Sequence, residues 1–213
     1  DVDPSVSYSG PLVILTSKLT ASAAEIVAQA LKDYGVAITV GDIHTYGKGS
    51  IQMQTVTGNS NDPSFKVTIG TYYTVSGKST QLDGVAADVV VPSVFYNKKF
   101  GEEYLNFSLK KDTVSAAFQD TLTDVSSDMA GWYAKYYKPY LQRPENRYRR
   151  FIPELQQMSQ ARMKKNQEYQ LFLQGAGFNH KSMDQIQKDI WALQLQEAVN
   201  IVEDLVVLSK KGH

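Results

Sequence analysis

The chain of 213 residues has no cysteine, and it contains only three histidines and seven prolines. Without cysteine there is neither a disulfide framework nor a thiolate nucleophile, which suits an oxidising compartment without identifying one. No run of about 18 apolar residues predicts a membrane-spanning helix, and the N-terminal residues lack the basic and apolar regions of a signal peptide. No histidines and carboxylates are clustered at the spacing of metal ligands. We therefore expect neither a metal nor a cofactor.

Neither sign of charge is in excess, since 22 lysines and arginines balance 22 acidic residues. A nucleic-acid-binding domain usually carries a larger basic excess, so no nucleic-acid partner is predicted. All five arginines nevertheless lie at or beyond Arg143, and four of them fall within residues 143–150. This cluster can contact phosphate or an acidic partner, but such stretches are more often solvated connections between helices.

Residues 1–108 have the pattern of an α/β unit. A short apolar run is followed by apolar residues at helical spacing, and Gly35 ends that helix before the next apolar run. Two parallel strands joined by a right-handed crossover are expected from this order. Alternation of apolar and polar residues then predicts further strands. The predicted strands cover residues 12–16, 37–40, 51–56, 65–75 and 89–91.

Residues 109–213 have a different composition. From about Asp112 onward the sequence is rich in Gln, Lys, Ala and Leu at helical spacing, and Ser182 begins a capping-box pattern that predicts a long last helix. An aromatic stripe over residues 132–140 is interpreted as core or interdomain packing. We therefore predict two domains, with a boundary between residues 108 and 109.

Ser22 lies between the first predicted strand and the first predicted helix. At a helix N-terminus its hydroxyl would meet free N–H groups and the positive end of the macrodipole, and the Ala23 N–H would donate to a developing oxyanion. The segment from Ser22 to Glu25 is also a capping box, in which Ser22 only caps the helix and Glu25 reaches back. On local sequence alone the cap is the commoner arrangement, so both interpretations stay open.

Lys48, in the segment Gly47-Lys48-Gly49, supplies a possible base for Ser22. A lysine serves as a base only when it is neutral, which requires its pKa to fall from about 10.4 to roughly 7–8. Gln52, four residues later, would hydrogen-bond the amine and orient it, or would be an exposed polar residue on a strand.

Two other functions of the 41–48 loop are considered. A phosphate-binding loop is disfavoured, because five residues rather than four separate its glycines, Gly49 replaces the required Ser or Thr, and a strand pattern follows. His44 is a candidate base, although a lone loop histidine is more often structural or exposed.

Residues 12–26, 30–35 and 45–52, followed by residues 77–92, resemble the active-site region of the tail-specific, or carboxyl-terminal processing, serine peptidases. The resemblance implies that Ser22 is the nucleophile, Lys48 the general base and Gln52 its orienting partner, with the Ala23 N–H in the oxyanion hole. It also implies a crotonase-like α/β core followed by an all-helical C-terminal domain. The implied location is periplasmic or otherwise exported.

The resemblance further implies an endopeptidase that cleaves proteins or peptides with apolar C-termini through an acyl-enzyme. Members of this family carry a PDZ domain and the first half of the protease core before the matching region. We expect this chain to be the C-terminal portion of such an enzyme, inactive alone, with the N-terminal part as its partner and with homo-oligomers possible. The alternative is a non-catalytic helical scaffold that binds partners through the aromatic stripe and the arginine cluster.

Overall fold

The computed structural model describes residues 8–55, 65–141, 143–175 and 182–211. Its strands are β1 (Val13–Thr16), β2 (Ile38–Gly41), β3 (Ser50–Thr55), β4 (Phe65–Thr71) and β5 (Val89–Val90). Its α-helices are α1 (Ala23–Asp33), α2 (Ser127–Tyr136), α3 (Ile152–Lys165), α4 (Gln167–Leu173) and α5 (Met183–Lys211). The predicted mixed α/β arrangement with a helical C-terminal region is confirmed, and the crotonase-like arrangement stays a prediction.

The strands β1, β2 and β5 form a parallel sheet in that order. Val13 pairs with Ile38 on β2, and β2 in turn pairs with β5 in parallel. The predicted β-α-β unit is therefore present, with α1 between its strands. Gly35 follows this helix with φ +68, and a Cβ at that position would lie 2.6 Å from the backbone of Asn146. Only glycine satisfies both the left-handed turn and this close approach.

The strands β3 and β4 form a separate antiparallel hairpin. Their register runs from Ser50 opposite Thr71 to Thr55 opposite Phe65, with an irregularity between Ile51 and Gln52. The second strand ends at Thr71 and not at residue 75 as predicted. The reason is a turn in which the Thr74 N–H donates to the Lys78 carbonyl.

The C-terminal region is helical only from Ser127 onward. Residues 112–126 hold no helix among the described residues, and two of them bond to the preceding turn instead, Val114 N to Gly77 O at 2.9 Å and Ala117 N to Val75 O at 2.8 Å. The predicted start of α5 is confirmed, since the Gln185 N–H donates to the Ser182 hydroxyl at 3.3 Å. None of the described helices combines the length and apolarity needed to cross a bilayer.

One hydrophobic core joins the sheet to the helices. Ile38 and Val40 of β2 are buried in the same cluster as Leu155 of α3 and Leu205 of α5. The buried apolar side chains of α5 are Ile186, Ile190, Ala198, Ile201, Leu205 and Leu208. The core therefore crosses the predicted domain boundary, and the division into 1–108 and 109–213 stays a prediction.

The aromatic stripe lies on the surface of α2 and the turn after it. Trp132 is 53% exposed and Tyr140 is 65% exposed. The rings stack mainly on one another, with 5.2 Å between the centroids of Trp132 and Tyr133. Packing of this stripe in the core is wrong for the described residues, because these rings are exposed and none belongs to the buried cluster, while interdomain packing stays a prediction.

Candidate active site

Ser22 occupies a sharp turn between β1 and α1. Its backbone has φ 55 and ψ −118, a combination that a residue with a Cβ adopts only at a cost of about 1–3 kcal/mol. Two residues before Ser22, Thr20 O accepts a hydrogen bond from the Tyr46 N–H at 2.9 Å. This bond ties the Ser22 turn to the loop that carries Lys48.

Lys48 and Gln52 are in direct contact. The Lys48 Nζ donates to Gln52 Oε1 at 3.0 Å. The irregularity at Ile51/Gln52 lies in the intervening backbone, between the loop and the regular part of β3. The contact is one of the two arrangements that the sequence left open for Gln52, and the orienting role of Gln52 stays a prediction.

One open cleft brings all four predicted site residues together. Ser22, Ala23, Lys48 and Gln52 line a cavity of about 430 Å³. Its other lining residues are Ile26, Ser50, Ile51, Gln54, Lys66 and Tyr72. The two lysines are the charged groups among these, and no carboxylate lines the cavity. A neutral nucleophile, an amine and helix N-terminal N–H groups therefore share a space that a peptide segment can enter.

The buried carboxylate of Glu25 holds the two halves of this site together. Its Oε2 accepts from the Ser22 N–H at 2.8 Å and from the Lys48 N–H at 2.9 Å. Its Oε1 accepts from the Gly47 N–H at 2.7 Å and from the Thr45 hydroxyl. Glu25 is fully buried. One side chain thus fixes the main chain of Ser22 and of Lys48 at a common point.

The structure has the capping box that the sequence indicates at Ser22, and its clearest bond is the one made by the Glu25 carboxylate. Glu25 accepts from the Ser22 N–H, as a capping box requires. The Ser22 hydroxyl faces the first turn of α1 in a capping-box arrangement, but it makes no cap hydrogen bond of regular geometry within the described residues. Ser22 lines the cleft at the same time, so the structure leaves both the capping and the nucleophile interpretations open.

Tyr72 is a cleft residue that the sequence analysis missed. Its hydroxyl donates to the Lys48 carbonyl oxygen at 2.8 Å and lies 3.3 Å from the Ser22 carbonyl oxygen. Burial raises the pKa of this phenol above its usual value, and the charge of Glu25 adds to the effect, while a hydrogen bond with Thr80 opposes it. No local motif marks Tyr72, since it lies in an ordinary alternating strand pattern 50 residues from Ser22.

His44 does not line the cleft, although Lys48 at the end of the same loop does. The imidazole Nδ1 lies 2.8 Å from Thr45 O, and Nε2 lies 3.5 Å from Glu103 Oε1. A phosphate would require free N–H groups, but those of Gly47 and Lys48 are bound to Glu25. In the described part of the chain, no group of three or more His, Cys, Asp or Glu side chains is placed to hold a metal.

The chain resembles known peptidases over part of its length. Residues 2–91 match the model of peptidase family S41. The tail-specific protease of Haemophilus influenzae is 35% identical over 123 residues, which cover 55% of this chain and 18% of that protein. The carboxy-terminal-processing protease of Bartonella bacilliformis is 35% identical over 134 residues, which cover 56% of this chain and 30% of that protein.

A plant relative extends the range of organisms. The chloroplastic carboxyl-terminal-processing peptidase 2 of Arabidopsis thaliana is 39% identical over 95 residues, covering 45% of this chain and 18% of the plant protein. This chain thus spans less than a third of the length of these three relatives. Residues 2–91 of the chain are thus similar to peptidase family S41, and about half of its length is similar to tail-specific and carboxy-terminal-processing proteases.

Proposed function

We propose that this chain carries the Ser-Lys active site of a serine endopeptidase. The observation that carries the proposal is the common cleft of Ser22, Lys48 and Gln52, in which the Lys48 amine is held by Gln52 at 3.0 Å. The match of residues 2–91 to a peptidase family supports a peptidase function for the site.

In the proposed reaction, Ser22 is the nucleophile, Lys48 transfers the protons and water releases the product. Ser22 Oγ attacks the carbonyl carbon of the scissile peptide while neutral Lys48 takes the hydroxyl proton. The proton passes to the leaving nitrogen, the C–N bond breaks and an acyl-enzyme remains. Water then attacks the ester, Lys48 again accepts a proton, and Ser22 is released as the hydroxyl.

The oxyanion is stabilised by the start of α1. The first N–H groups of a helix have no intrahelical acceptor, and the macrodipole adds a partial positive charge there. Ala23 is the first residue of α1 and lines the cleft beside Ser22. We assign its N–H as a donor to the tetrahedral intermediate.

The substrate and the remaining parts of the enzyme are inferred from the relatives. We infer that the enzyme cleaves proteins or peptides with apolar C-termini and is exported, and that a PDZ domain and the first half of a crotonase-like core complete it. Exposed apolar side chains on the hairpin support a covering partner for that surface. They are Ile51, Met53, Phe65, Val67 and Ile69.

The test is a cleavage assay on the longest natural polypeptide that contains this sequence. Its substrate is an unfolded protein with an apolar C-terminus. We expect Ser22→Ala, Lys48→Ala and Lys48→Arg each to lower kcat by about 10,000-fold, because each removes the nucleophile or the base. Ser115→Ala and Lys135→Ala, which change exposed side chains outside the cleft, are the matched controls. Circular dichroism verifies that every variant is folded.

Full cleavage by folded Ser22→Ala or Lys48→Ala would reject the dyad. The alternative function, a helical interaction scaffold, is favoured by one observation, the exposed aromatic stripe. A scaffold tolerates all three substitutions and loses partner binding instead when Trp132 and Tyr136 are changed to Ala.

A further inference from the structure

The Tyr72 hydroxyl links the main chains of Ser22 and Lys48. A phenol has one proton, so it donates to the nearer carbonyl, Lys48 O at 2.8 Å, and more weakly to Ser22 O at 3.3 Å. The Thr80 hydroxyl, 2.5 Å away and buried, then donates to the phenol oxygen. This arrangement uses the single proton of each hydroxyl group.

The hydroxyl keeps this role over a wide pH range. Burial raises the pKa of the Tyr72 phenol above its ordinary value near 10. The phenol is therefore protonated, and able to donate, throughout the neutral and mildly alkaline range in which a peptidase of this kind would be assayed.

The Ser22 turn needs support from its surroundings. Its φ of 55 is costly for a residue with a Cβ, and such conformations persist only where neighbouring groups hold them. Glu25 holds the Ser22 N–H, and Tyr72 contacts the Ser22 carbonyl on the other side of the residue. The same phenol holds Lys48, so a shift of Tyr72 changes the separation of the two side chains.

We infer that Tyr72 is a positioning residue for the Ser22–Lys48 pair, which its hydroxyl aligns through the two main-chain carbonyls. The inference rests on the proposed function of that pair. The hydroxyl does not take part in bond making, so it acts on kcat through geometry. A misplacement of about 1 Å between reacting groups costs about 100-fold in rate.

Tyr72→Phe tests the inference because it removes one oxygen and keeps the ring. In the longest natural polypeptide that contains the chain, we expect kcat to fall by about 10- to 100-fold with KM within about twofold. Labelling of Ser22 by a fluorophosphonate should slow by a similar factor. The control is Tyr73→Phe, since the neighbouring hydroxyl binds exposed Asp112 at 2.8 Å and should leave all three values unchanged.

Thr80→Val is the second variant, and it tests the positioning role of Tyr72 if Tyr72→Phe does not fold. It removes the donor to the phenol oxygen while keeping the side-chain shape, and we expect a smaller fall in kcat with unchanged KM. Equal kcat for wild type and both variants, or a rise in KM alone, would overturn the inference. If the wild type itself neither cleaves nor is labelled at Ser22, the proposed function fails instead.

Discussion

Glu25 is a single carboxylate that accepts four hydrogen bonds beneath the cleft. Three of its donors are the N–H groups of Ser22, Gly47 and Lys48, and the fourth is the Thr45 hydroxyl. Bonds to a charged acceptor are about twice as strong as neutral ones. The site therefore depends on a buried charge that does not itself line the cleft.

Glu25→Gln keeps the side-chain shape but replaces one accepting oxygen with an NH₂ group that faces N–H donors. We expect a loss of about 3 kcal/mol in the free energy of unfolding, because buried donors are left unsatisfied. Cleavage should fall as well, since the Ser22 and Lys48 backbones separate. Urea unfolding followed by circular dichroism measures the first effect, and the peptidase assay measures the second.

Glu154→Gln provides the matched control for Glu25. Glu154 also lies in the first turn of a helix, but its side chain is exposed. A neutral substitution there should change stability by no more than about 0.5 kcal/mol. Similar losses for the two variants would show that Glu25 acts as an ordinary first-turn acid and not as a clamp.

Local spacing predicted the residues of the cleft that are close in sequence. Gln52 is four residues from Lys48, and their contact follows from that short separation. The capping box predicted the bond between Glu25 and the Ser22 N–H, but not the bonds to residues 45–48. Those bonds, like the contacts of Tyr72, depend on how distant segments pack, which a single sequence does not encode in a local pattern.

The junction between α4 and the sheet contains a buried phenol. Tyr169 is 2% exposed, and its hydroxyl donates to Pro92 O at 2.5 Å, just after β5. Burial, with the nearby charges of Asp42 and Glu197, raises the pKa of the Tyr169 phenol well above its usual range. The helix α4 therefore packs against the sheet with the Tyr169 hydroxyl protonated, and ionisation of this hydroxyl weakens that packing.

Because the pKa of the Tyr169 phenol is raised in the folded chain, we expect the protein to lose stability in alkaline solution. In the unfolded chain the phenol ionises near pH 10, while in the folded chain it keeps its proton. The stabilisation is complete below pH 10 and falls above it by about 1.4 kcal/mol per pH unit. Tyr169→Phe should lower stability at pH 8 by removing the bond to Pro92, and should make the decline between pH 10 and 11 shallower.

Urea unfolding at pH 8, 9, 10 and 11 measures this slope. The exposed Tyr140 supplies the control, because Tyr140→Phe should leave the pH dependence as in the wild type. Tyr46 and Tyr72, whose phenol pKa values are also raised by burial, contribute to the wild-type slope, so the assignment rests on the difference in slope between the variants. Parallel curves for wild type and Tyr169→Phe would contradict the assignment.

Elements with a strong local pattern were predicted well. The positions of β1, α1, β2 and the start of α5 follow from apolar periodicity, a terminating glycine and a cap. Residues 112–126 have helical composition, yet they form no helix among the described residues. Val114 and Ala117 donate their N–H groups to the carbonyls of Gly77 and Val75 in the preceding turn. The exposed face of α2 was misassigned because aromatic periodicity indicates an apolar face without indicating what covers it.

At the scale of the whole molecule, one core holds both halves of the chain. Leu205 of α5 is fully buried beside the sheet residues Ile38 and Val89. We expect Leu205→Ala to lower the free energy of unfolding by about 3 kcal/mol through lost burial and the cavity left behind. Thermal unfolding monitored both by circular dichroism and by hydrogen exchange of β2 should show the same shift.

Leu195→Ala is the control on the same helix. Leu195 is 48% exposed, so its removal should change stability by no more than about 0.5 kcal/mol. If β2 kept its protection in Leu205→Ala while α5 lost it, the two regions would unfold independently. The predicted boundary between residues 108 and 109 would then separate two autonomous folding units.

Among the described residues, the hairpin of β3 and β4 forms a sheet separate from the three-stranded one, and Lys48 and Tyr72 both lie just beyond its open end, where Ser50 pairs with Thr71. Proteins open locally at less cost than they unfold globally, first where buried apolar contacts are few. Opening of this hairpin would carry Gln52 of β3 away from the Lys48 amine, while Glu25 still holds the Lys48 main chain and the core stays intact. We therefore expect the site to stop working at a lower temperature than the one at which the core melts.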